Sequence, residues 1–172
     1  MKSSRGFTLV EMLITISIML IITGGGIAAF IGFNERQNVQ VAVKELQTML
    51  RSAQVKAKVG EDAEYCRSTY GESLRGYRVY IADGTGTAIL YTTCSDNKFS
   101  LPVDRTYVER SRIYFDSTVT AGMQGGGDLD VEFLALLGGV DGSGTIEIAG
   151  SGSNVYNFVI SSSGEIREGA FQ

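Results

Sequence analysis

The chain has 172 residues and a formal net charge of −4, with no histidine, one proline and two cysteines. An acidic chain argues against a general nucleic-acid binder, which needs a basic face. The lack of histidine removes the usual general base, the Ser–His and Cys–His nucleophile systems and the commonest metal ligand. With no Walker loop and no cysteine cluster either, the sequence offers no enzyme and calls for no cofactor.

The N-terminus is organised as a short basic leader, Met1 to Gly6 with Lys2 and Arg5, followed by an apolar run that ends at Phe33. Met12 to Phe33 carries no formal charge. At about 1.5 Å per residue those roughly 22 positions reach about 33 Å, enough to cross a bilayer core. A secretory signal has its cleavage site beyond the apolar run. Here the processing point precedes it, at Gly6–Phe7, so that cleavage leaves the helix as the mature N-terminus. The basic leader stays in the cytoplasm and the C-terminal portion faces outward.

Gly6-Phe7-Thr8-Leu9-Val10-Glu11 resembles the class III leader site of type IV pilins and type II secretion pseudopilins. The resemblance implies cleavage between Gly6 and Phe7 by a prepilin peptidase and N-methylation of Phe7. It also implies that Glu11 is the acidic residue of the mature helix. A carboxylate at membrane depth costs a few kcal/mol unless it finds a partner. The new amine on a neighbour's Phe7 supplies one where little water competes. The plainer reading is a Glu11 side chain that snorkels to the headgroups. Retention of Glu11 favours a subunit inside a helical stack over the tip pseudopilin type that lacks this acid.

Gly24, Gly25 and Gly26 interrupt the apolar run where pilins commonly carry a helix-breaking proline. Each glycine costs roughly 1 kcal/mol against alanine in a helix. The run is either a soft point that stretches during packing or a site of close helix–helix contact. Beyond it, Val39, Val43, Leu46, Met49, Leu50, Ala53 and Ala57 recur at three- and four-residue steps, while Glu35, Arg36, Lys44, Arg51, Lys56 and Lys58 take other positions. This predicts an amphipathic continuation over residues 34–60, with Gly60 as the C-cap. Glu45-Leu46-Gln47 with Leu50, Arg51, Ala53 and Ala57 is also similar to the second half of the N-terminal helix in pseudopilin H-like and minor pilin subunits.

From Tyr77 the period changes to two. Seven strands are expected, at Tyr77–Ala82, Ala88–Cys94, Arg112–Asp116, Asp130–Leu136, Thr145–Ala149, Val155–Ser161 and Glu165–Glu168. Asp83-Gly84 and Ser163-Gly164 read as hairpin turns. The expected fold is therefore α+β: one long N-terminal helix packed on an antiparallel head in two sheets. Its divisions are the leader 1–6, the span 7–33, the amphipathic continuation 34–60 and the head 61–172. The segments around Val131–Leu134, Gly142–Ile148, Phe158–Ser161 and Gly164–Arg167 resemble the end of pseudopilin H-like domains.

Cys66 and Cys94 read as a disulfide in an oxidising compartment, against two buried thiols as the alternative. Asp128, Asp130 and Asp141 lie in glycine-rich loops but lack the alternating spacing of a calcium loop, so flexible loops are the stronger reading. Arg105, Arg110 and Arg112, interleaved with Tyr107 and Tyr114, form a local basic group of the kind that binds single strands. The acidic total and Glu109 weigh against it.

The expected role is a structural subunit, minor and pseudopilin H-like, of a pilus or type II secretion pseudopilus. Its partners are other pilins or pseudopilins, prepilin peptidase, a membrane assembly platform and lipid before assembly. It sits in the inner membrane by one span, with its head in the periplasm or at the cell surface. The alternatives are an adhesion or DNA-uptake module on a filament, and a signal-anchored domain that does not polymerise.

Overall fold

The computed structural model describes residues 7–95, 105–135, 139–152 and 154–171. One helix, α1 (Leu9–Val59), takes in both the apolar and the amphipathic stretch expected of it, for 51 residues or about 76 Å. Its charges suit the helix dipole, with Glu11 in the first turn and Lys56 and Lys58 in the last. It stops at Gly60, which adopts the left-handed conformation (φ 70°, ψ 36°) and donates its N–H to the Lys56 carbonyl.

A second helix, α2 (Ala63–Tyr70), follows at once and closes on Gly71. Nine strands then complete the described head, all paired antiparallel: β1 (Ser73–Ile81), β2 (Thr87–Ser95), β3 (Arg105–Tyr114), β4 (Val119–Met123), β5 (Leu129–Leu134), β6 (Val140–Asp141), β7 (Gly144–Gly150), β8 (Val155–Ile160) and β9 (Ile166–Phe171). They form a five-stranded sheet ordered β3-β2-β1-β5-β6 and a four-stranded sheet ordered β4-β7-β8-β9. The expected α+β layout and the two sheets are both present, and the head is richer than seven strands.

The differences have local causes. β3 begins at Arg105, seven residues before the expected Arg112, because an edge strand tolerates the charges of its polar first half. β4 is built from Val119, Thr120, Ala121, Gly122 and Met123, small residues with weak strand signal, and β6 is only two residues long. α2 falls in the stretch after Gly60 for which no element was expected; its signals are the Glu64–Arg67 pair and the closing Gly71. Leu136, the end of the strand expected from Asp130, lies outside the described residues.

The core sits between α1 and the inner faces of both sheets. All seven stripe residues, from Val39 to Ala57, are buried, together with Ala42. They meet Tyr77, Val79, Ile81, Leu90, Val131 and Phe133 from the larger sheet, and Ile146, Ile148, Phe158 and Ile160 from the smaller one. Burying a side chain such as Leu46 or Leu50, at 0% exposure, contributes about 1.5–3 kcal/mol. Among the described residues, an isolated bridge pairs Thr85, in the β1–β2 turn, with Ala121 of β4 and so ties the two sheets together. Gly76 permits the close β1–β5 approach, since a Cβ there would collide with the Phe133 carbonyl.

Candidate functional site: the N-terminal segment and its support

Phe7 lies just outside α1 and is exposed. Thr8 is the N-cap: its backbone is extended (φ −79°, ψ 152°) and its hydroxyl accepts the Glu11 N–H at 3.2 Å. Thr8-Leu9-Val10-Glu11 thus has the spacing of a capping box, a signal present in the sequence but overlooked by a reading of charge alone. The cap fixes where the helix begins, so Phe7 stays out of the helical hydrogen-bond ladder. Glu11 lies in the first turn, exposed, with no side-chain hydrogen bond or ion pair among the described residues. Gly6, the other half of the processing point, lies outside the described residues.

From Leu9 to Phe33 every described side chain is exposed, and α1 is long and apolar enough there to cross a membrane. Such a surface is a poor match for water. The helix continues unbroken through Gly24, Gly25 and Gly26, and a methyl group at Gly24 or Gly25 would meet nothing within 4 Å. Both readings of the glycines concern the packed helix.

Below Gly60 the head is fastened to the helix by a bridge and a polar network. Cys66 in α2 is bonded to Cys94 in β2, with Cα atoms 5.6 Å apart. Beside it, the Asp62 carboxylate accepts from the Tyr77 hydroxyl at 2.9 Å and the Thr92 hydroxyl at 2.6 Å. The same carboxylate lies 3.2 Å from Arg110. The Asp62 N–H in turn donates to the Tyr77 oxygen at 3.1 Å. Burial, followed by the Asp62 contact, pushes the Tyr77 hydroxyl well above its usual pKa.

The three arginines proposed as a basic group do not act as one. Arg105 lies 3.5 Å from the buried Glu132, Arg110 is held by Asp62 and stacks over Tyr65 at 4.2 Å, and Arg112 pairs with Glu109 at 2.7 Å. Each cation has a carboxylate partner, so little net positive field is left for a phosphate chain. The acids proposed for calcium are likewise dispersed. Asp128 accepts from Tyr80 and from the Asp83 N–H, Asp130 is bidentate to Arg78, and Asp141 lies 3.4 Å from Arg75. No metal-ligand group of three or more forms among the described residues.

Residues 1–27 match the family model described as the prokaryotic N-terminal methylation motif. Neither a curated protein nor a solved structure matches the chain.

Proposed function

We propose that this type IV pilin-like protein is a filament subunit, cut between Gly6 and Phe7 by a prepilin peptidase, N-methylated on Phe7, and assembled through α1. The observation that carries the reading is the coincidence of two features. The methylation motif occupies residues 1–27, and the helix beginning at Leu9 is apolar, with every described side chain exposed, up to Phe33. Such a helix needs lipid first and other helices afterwards. The motif and the helix together suggest membrane anchoring, with the head on the outer side. In the packed state the Glu11 carboxylate neutralises the Phe7 amine of a neighbour and sets the stagger between subunits. The role is structural rather than catalytic, in a pilus or type II secretion pseudopilus, and the resemblance of the head and helix to pseudopilin H-like subunits favours a minor component.

The test is the mature N-terminus. Intact mass and N-terminal sequencing of sheared filament material should give a chain beginning at methylated Phe7. A membrane protein that keeps Met1 and forms no oligomer would leave a simple anchored domain instead.

A further inference from the structure

Twelve of the chain's cations lie in described residues, and their pairing is uneven. Arg67, Arg75, Arg78, Arg105, Arg110, Arg112, Arg167 and Lys56 each have a carboxylate within 4.0 Å, and Arg36 stacks over Phe171. Only Lys44, Arg51 and Lys58 are left without a carboxylate or a ring among the described residues. They are seven residues apart on α1 and all exposed. Seven residues make nearly two turns, so the three stand in one row along the outer face of the helix, about 10.5 Å between neighbours. Next to them run Val41 and Val55, 54% and 60% exposed, on the side opposite the buried stripe.

A cluster of acids away from the helix carries the complement. Asp83 and Glu147 line a shallow cavity of about 220 Å³ with Gly122, Gly125 and Gly126, and Asp128 binds the Asp83 N–H at its rim. None of the three acids is paired with a cation among the described residues. Glu147 lies between Ile146 and Ile148, both buried towards α1, so alternation turns it to the sheet face away from the helix. The row and the acidic rim therefore lie on opposite faces of one molecule and cannot neutralise each other within it.

Resting on the filament reading, we infer that the Lys44–Arg51–Lys58 row of one copy docks the Asp83–Asp128–Glu147 rim of the next copy. A contact between two different faces of the same chain is heterologous, and repeated it gives an open helical array rather than a closed dimer. The glycine turn beside Asp83 lets the helix approach closely, and the contact covers Val41 and Val55. Charges of this kind act on register and partner choice more than on raw affinity. An anionic lipid surface does not fit the row. Lys44 and Lys58 are about 16 and 37 Å along the helix from Phe33, so a helix crossing the bilayer carries the row away from the headgroup plane.

The test uses full-length chain in its own host. Sheared filaments treated with a carboxylate–amine condensing agent should yield isopeptides from Lys44 or Lys58 to Asp83, Asp128 or Glu147. In filaments mixed from light- and heavy-isotope copies, these should be intermolecular. Isopeptides from these lysines only to other carboxylates would overturn the contact. The triple variant Lys44→Glu, Arg51→Glu, Lys58→Glu should lower filament incorporation at least about tenfold, and adding Asp83→Lys with Glu147→Lys should restore part of it. Wild-type incorporation by a triple variant with normal melting would also overturn it, as would unchanged filaments that have lost salt-sensitive DNA retention, which would make the row a nucleic-acid surface. If correctly cleaved wild-type chain enters no filament, the filament reading itself fails and the contact goes with it.

Discussion

Replacing both cysteines by alanine separates what the bridge does to the unfolded chain from what it does to α2. The bonded residues are 28 apart in sequence, and on the chain-entropy model the bridge restricts the unfolded state by about 3.6 kcal/mol. Alanine is the right substitute, because both sites are 0% exposed and a serine hydroxyl there would add an unsatisfied group costing about 1–3 kcal/mol. At about 3 °C per kcal/mol for a head of this size, the midpoint of thermal unfolding should fall by about 10 °C. α2 itself should stay in place, because Asp62 still holds Tyr77, Thr92 and Arg110. The assay is a near-UV circular dichroism melt of the full chain in detergent, with amide exchange over Ala63–Tyr70 at low temperature. A midpoint within about 2 °C of wild type would refute the entropic account. Exchange that becomes fast in α2 alone, with the sheets still protected, would show that the bridge and not the Asp62 network anchors the helix.

Four further outcomes are expected. Leu46→Ala, at a fully buried position facing both sheets, should lower stability by about 2.7–5 kcal/mol in urea titrations. Tyr77 has its pKa raised in the fold, so its share of the stability is complete below the unfolded value near 10 and is lost as pH climbs above it. Tyr77→Phe should therefore be weaker at neutral pH by about 1–3 kcal/mol and show a shallower alkaline decline, read from denaturation midpoints between neutral and strongly alkaline buffer. Glu11→Ala should insert in membranes as wild type does but fail to assemble; normal filaments in this variant would end the pairing proposal. Gly76→Ala should destabilise the head by about 1–3 kcal/mol through its clash with Phe133, whereas Gly24→Ala, with open space around it, should leave the head's melting unchanged. Equal effects from the two would show that the β1–β5 approach is not tight.

Legibility followed the strength of the local signal. The long helix could be read because its apolar run and its three-and-four stripe are both sustained, and Gly60 ends it in the left-handed conformation that glycine, unlike residues with a Cβ, adopts without penalty. The N-terminal methylation motif could be read because a basic leader, Gly6–Phe7 and Glu11 fall together at one end. The extra strands β4 and β6 could not, nor could the first half of β3: that half is a polar edge, β4 is made of small residues and β6 is two residues long. The arginines of β3 are the sharper case. Arg105, Arg110 and Arg112 are close in sequence and read as one basic group, but their partners Glu132, Asp62 and Glu109 come in part from distant strands and from the turn before α2.

The sequence by itself determined the N-terminal methylation motif, the long helix with its apolar first half, and the buried stripe, since each depends on neighbours within a few residues. Only the tertiary structure decided which charges remain unspent. Pairing is a property of distance in space, and Lys44, Arg51 and Lys58 stand out only once every other described cation has been seen to meet its carboxylate or, for Arg36, its aromatic ring.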